Sequence, residues 1–92
     1  MSDLKTLKRK WLKDPKVKKA YEKMSPEFEV ARALINARNN AGLTQEEVAI
    51  RMGTTQSVVA RLEAGQTLPS IKSLYRYAEA TGTKPEIQLV LV

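Results

Sequence analysis

The chain has no cysteine and no histidine. Their joint absence removes disulfides, the usual zinc ligand sets and imidazole acid–base chemistry. Aspartate occurs only at Asp3 and Asp14, so a carboxylate dyad would have to be assembled from scattered glutamates. No enzyme activity, cofactor or metal site is expected from such a composition. Long apolar runs are missing too. The lysines of the first ten residues are not followed by a hydrophobic signal segment, and the apolar run at residues 89–92 is far too short to cross a bilayer. A cytoplasmic protein is expected. With 92 residues there is room for one compact core and little else.

Charge is present but unevenly distributed. The net +6 arises from 16 basic and 10 acidic side chains. Residues 1–24 hold nine of the basic ones (Lys5, Lys8, Arg9, Lys10, Lys13, Lys16, Lys18, Lys19, Lys23) against Asp3, Asp14 and Glu22. The whole excess therefore sits in this segment, and residues 25–92 balance seven basic against seven acidic groups. Net charge alone does not make the neutral body a nucleic-acid binder.

Apolar spacing and cap residues predict helices almost throughout. Leu4, Leu7, Trp11 and Leu12 form an amphipathic stripe; Asp14 and Pro15 break it and open a second short helix carrying Val17, Ala20, Tyr21 and Met24. Ser25-Pro26 repeats the cap-plus-proline signal and starts the body. A helix from residue 27 to about 41 carries Val30, Ala31, Leu34, Ile35 and Ala41 and ends at Gly42. Thr44-Gln45-Glu46-Glu47 is a capping box that begins a helix ending at Gly53. Thr54-Thr55-Gln56-Ser57 opens the next, with Val58, Val59 and Leu62, which stops at Gly65. Pro69-Ser70 starts a last helix with Ile71, Leu74, Tyr75 and Ala78, closed by Gly82. Residues 87–92 are short, apolar and partly β-branched, which reads as a strand.

Two short helices joined by a glycine turn, the second beginning with Thr, Gln and Ser, form the arrangement of a helix-turn-helix DNA reader. Small Ala49 permits close helix approach, and Val48, Met52, Val59 and Leu62 can turn inward. Gln56, Ser57, Ala60 and Arg61 then share the outer face. Gln pairs with adenine, Arg with guanine, and Ser or Thr with several base edges. Gln45, in the first turn of the preceding helix, is placed to aim its amide and nearby backbone N–H groups at a phosphate. Val58 suits a half-buried position. Thr44, Thr67, Ser70 and Lys72 are further candidates for phosphate contact.

The segments Gly42-Leu43-Thr44-Gln45-Glu46-Glu47-Val48-Ala49, Gly53-Thr54-Thr55-Gln56-Ser57, Ala60-Arg61-Leu62-Glu63 and Gly65 resemble the phage-repressor-like (Cro/CI, or XRE) helix-turn-helix family over roughly residues 27–82. Within it the chain looks most like the HigA-type antitoxins. The resemblance implies base reading by Thr55, Gln56, Ser57 and Arg61, and a phosphate contact at Gln45. It also implies a buried structural ion pair between Arg38 and Glu63, and as partner a ribosome-dependent ribonuclease toxin of the RelE/HigB type.

Trp11 with Leu4, Leu7 and Leu12 needs apolar cover. The arm either folds onto its own body, as the plainest reading has it, or anchors a partner through Leu4, Leu7, Trp11, Leu12, Val17 and Tyr21. Contact with DNA is a further role for so basic a segment. The predicted C-terminal strand needs an edge to pair with, and the same strand of a second copy supplies one, giving a homodimer suited to a palindromic operator.

The expectation is an all-α, five-helix repressor-like helix-turn-helix domain with an N-terminal helical arm and a short C-terminal β-strand. Residues 1–24 form the basic arm, a candidate toxin-binding segment; 25–83 the DNA-binding domain; 84–92 the candidate dimerisation element. The expected function is that of an antitoxin which binds double-stranded operator DNA, represses its own operon and neutralises a toxin. The alternatives are a stand-alone phage-type or restriction-controller repressor, and a protein-interaction adaptor with a non-reading helix-turn-helix core.

Overall fold

The computed structural model describes residues 25–92. The expectations for the arm, including Leu4, Leu7, Trp11, Leu12, Val17 and Tyr21, lie outside the described residues. Four helices are present within them: α1 Pro26–Asn40, α2 Gln45–Met52, α3 Gln56–Leu62 and α4 Ile71–Ala80.

Each helix begins on a hydroxyl cap in extended backbone. Ser25 accepts from Phe28 N–H and places Pro26 in the first turn, where a missing N–H costs nothing. Thr44 and Glu47 close the predicted capping box, each side chain accepting from the other's backbone N–H at 3.1 Å. Thr55 caps α3 and Ser70 caps α4. Between α2 and α3, Gly53 adopts φ +69°, a conformation that L side chains rarely take, and this lets the chain reverse in three residues.

Leu34, Val48, Ala49, Val59, Tyr77 and Ala80 form the core, flanked by Val30, Ala37, Leu43, Met52, Leu62 and Leu74. Val48, Val59 and Tyr77 are fully buried. Burying one valine side chain is worth roughly 1.5–3 kcal/mol, so these few residues carry much of a small domain's stability.

Two expectations are not met within the described residues. Among the described residues there are four helices rather than five, and residues 83–92 take no regular structure. A strand exists only through ladder hydrogen bonds to a neighbour, and residues 84–92 make none with the described chain. Ile87, Leu89, Val90, Leu91 and Val92 consequently stand in solvent. In α4 the buried side is Tyr77, Ala78 and Ala80, whereas Ile71 and Tyr75 are more than half and half exposed, at 59% and 50%. Of the four apolar positions read into this helix, Leu74 packs on the core and Ala78 is buried, and Tyr77 lies on their face, three residues after Leu74.

Candidate nucleic-acid interface

The site is built outward from a buried charge. Glu63, the C-cap of α3, is 8% exposed and its carboxylate is saturated with donors. Arg38 of α1 reaches it through Nε, 2.9 Å from Oε2, and Nη2, 3.0 Å from Oε1. Tyr77 Oη lies 2.7 Å from Oε2, and Gln45 Nε2 donates to Oε1 at 3.1 Å. Tyr77 Oη is also 2.8 Å from the Leu34 carbonyl oxygen, but for its single proton the charged and closer carboxylate is the stronger acceptor. Arg38 completes its fork on the Leu43 carbonyl at 3.1 Å. These contacts tie α1, α2, α3 and α4 together at one point.

The electrostatics follow from the contacts. Burial opposes a charge on Glu63, yet hydrogen bonds from Arg38, Tyr77 and Gln45 outweigh it and hold the carboxyl below its ordinary range. Its bond to Glu63 raises the Arg38 guanidinium further, against burial. Tyr77 is pushed well above its ordinary value by burial and by the neighbouring carboxylate. All three groups are locked in one protonation state near neutral pH. No buried side-chain polar atom among the described residues lacks a partner.

The opposite side of the same unit is open. Gln56, Ser57 and Arg61 are all exposed on α3, Ala60 between them is half-buried, and Val58 at 37% exposure sits at the rim. The α2 and α3 N-termini meet here, because Gln56 Nε2 donates to Gln45 Oε1 at 2.6 Å. Gln45 is thus held on both sides by Glu63 and Gln56, while its helix N-terminus still offers backbone N–H groups to an anion. Thr55, Thr44 and Ser70 each use the hydroxyl oxygen as a helix cap; Ser70 also donates to Ser73 Oγ at 3.0 Å. Thr67 and Lys72 are exposed, on the α3–α4 loop and in the first turn of α4. The three-way contact of Gln45, Gln56 and Glu63 spans separations of 18 and 11 residues, and no local pattern announces it. Tyr77 was missed as part of the site for the same reason.

A short helix packed under a second one, with an outward row of Gln, Ser and Arg and adjoining helix N-termini, defines the helix-turn-helix class of DNA-binding domains. A helix-turn-helix family model matches residues 34–88, and the chain belongs to this family, in its XRE-type branch. It is similar to the uncharacterized HTH-type transcriptional regulator y4dJ of Sinorhizobium fredii, with 42% identity over 58% of this chain and 68% of the relative. An uncharacterized HTH-type transcriptional regulator of Methanothermobacter thermautotrophicus is 44% identical over 49% of this chain and 65% of its own length. Antitoxin HigA1 of Mycobacterium tuberculosis is 36% identical over 85% of this chain; the match spans about half of that antitoxin, 51%. No solved structure gives a significant match. Among the described residues no group of acidic side chains could hold a metal ion, and no helix is long and apolar enough to cross a membrane.

Proposed function

We propose that the protein is a cytoplasmic antitoxin that represses its own operon by sequence-specific DNA binding and neutralises a ribonuclease toxin of the RelE/HigB type. The exposed row of Gln56, Ser57 and Arg61 carries the DNA half of this reading. Its end enters the major groove, while the α2 and α4 N-termini with Thr44, Gln45, Thr67, Ser70 and Lys72 straddle the phosphates. Thr55 stands at the groove end of α3, where its cap bond leaves the hydroxyl proton free to donate to a base edge.

Support for the toxin half comes from the breadth of the likeness to HigA1. A match of 78 residues in a chain of 92 leaves at most 14 outside it, so it extends into residues 1–24 beyond the helix-turn-helix segment. The apolar stripe of that arm is assigned to the toxin. The exposed Ile87, Leu89, Val90, Leu91 and Val92 are assigned to a homodimer, in which residues 84–92 of two copies pair as antiparallel strands and set the two reading heads about 34 Å apart.

Two experiments test the reading. A gel shift against the DNA upstream of the protein's own reading frame yields a specific complex; binding no tighter than to random DNA refutes repression. Co-expression with the adjacent toxin restores growth for the full chain and fails for a chain lacking residues 1–24. Full rescue by the shortened chain removes the arm from neutralisation.

A further inference from the structure

The Arg38–Glu63 pair looks purely structural, but one Glu63 oxygen faces the reading head through Gln45. A carboxylate offers only acceptors. The Gln45 amide must therefore turn its NH2 group toward Glu63 and its carbonyl oxygen toward α3. Gln56 meets that oxygen at 2.6 Å, and only its own NH2 group can do so. One N–H of Gln56 is engaged in this way. What remains for a base edge is one carbonyl acceptor and one N–H donor. That pair matches adenine, whose N6–H donates and whose N7 accepts. Guanine presents two acceptors, O6 and N7, and would demand two free N–H groups from Gln56.

We propose that Glu63, acting through Gln45, sets the hydrogen-bond polarity that Gln56 presents, so that this position accepts adenine and rejects guanine. Glu63 is then a positioning residue for specificity as well as a partner for Arg38. The inference rests on the reading of Gln56 as a base contact.

The test uses full-length protein and duplexes from its own upstream DNA that differ only at the base pair whose preference is abolished by Gln56→Ala. The unaltered protein favours A over G there by roughly tenfold or more. Replacing the whole pair, Arg38→Met with Glu63→Met, exchanges a buried ion pair for apolar side chains of similar volume, a change that folded proteins often tolerate. Tyr77 retains the Leu34 carbonyl as acceptor at 2.8 Å. Gln45 is then free to rotate, and the A-to-G ratio falls by roughly tenfold while a thermal melt confirms folding. A second variant leaves the ion pair intact. In Gln45→Lys the ammonium group faces Glu63 and can only donate, so Gln56 must offer its carbonyl inward and both N–H groups outward. The preference then moves from A toward G. An unchanged ratio in Gln45→Lys, or in the folded double variant, overturns the role of Glu63 while leaving Gln56 a reader. An unaltered protein with no base preference that depends on Gln56 overturns the base reading beneath it.

Discussion

The two faces of the helix-turn-helix unit differ in what limits them. Inward, Glu63, Arg38 and Tyr77 are enclosed, mutually saturated and held in single protonation states. Outward, Gln56, Ser57 and Arg61 are exposed on the same short helix, and of the three only Gln56 is tethered, by its bond to Gln45. The inner polar groups hold the unit together; under the proposed function the outer ones set what it recognises. Gln45 is where the two meet.

That contrast is broken most severely from inside. Arg38→Ala leaves the Glu63 carboxylate buried without its counter-charge, and the folding free energy should fall by about 3–5 kcal/mol, measured from the denaturation midpoint. Loss of the fold removes DNA binding with it. Titration attacks the same pair. Because folding lowers the Glu63 pKa from its ordinary value near 4.5, its contribution is present above that value and is lost as pH falls through the lower folded value. Folding raises the pKa of Tyr77 from near 10, so its contribution is complete below 10 and is lost as pH climbs beyond it. Melting temperature against pH should show a plateau with an acid and an alkaline shoulder, the alkaline one absent in Tyr77→Phe.

From outside the expected pattern reverses. Arg61→Ala should weaken specific binding by about 1–3 kcal/mol if the side chain forks onto guanine, with stability changed by less than about 0.5 kcal/mol. A footprint unchanged by Arg61→Ala removes it from the readers. Between the two extremes, Tyr77→Phe should cost about 1 kcal/mol of stability, since Arg38 and Gln45 remain on the carboxylate. The smallest effect belongs to Lys72→Ala. It should lower affinity for all sequences alike and reduce the slope of log K against log salt by about one.

How much of this was legible depended on sequence distance. Caps and stops are local, so Ser25, Thr44 with Glu47, Gly53 and Ser70 marked the helix boundaries to within one or two residues of α1, α2 and α4. The Arg38–Glu63 pair, 25 residues apart, came into view only through family resemblance. Spacing alone could not say that the Gln45 side chain bonds Glu63 and Gln56, because that choice is made by tertiary neighbours. In α4 the reading named Leu74 and Ala78, which face the core, together with Ile71 and Tyr75, which do not; Tyr77, on the same face as Leu74 and Ala78, went unnamed, and its acceptors Glu63 and the Leu34 carbonyl are remote in sequence. Residues 87–92 have the composition of a strand, but composition does not supply an edge to pair with, and the described chain gives them none.

The central claim is that the outward face reads DNA on a scaffold that does not need that face to fold. It is tested most directly by a Gln56→Ala/Arg61→Ala variant assayed in parallel for thermal melting and for the ratio of operator to random-DNA affinity. The account predicts an unaltered melt and a ratio close to one. A variant that melts normally and still selects the operator would contradict it.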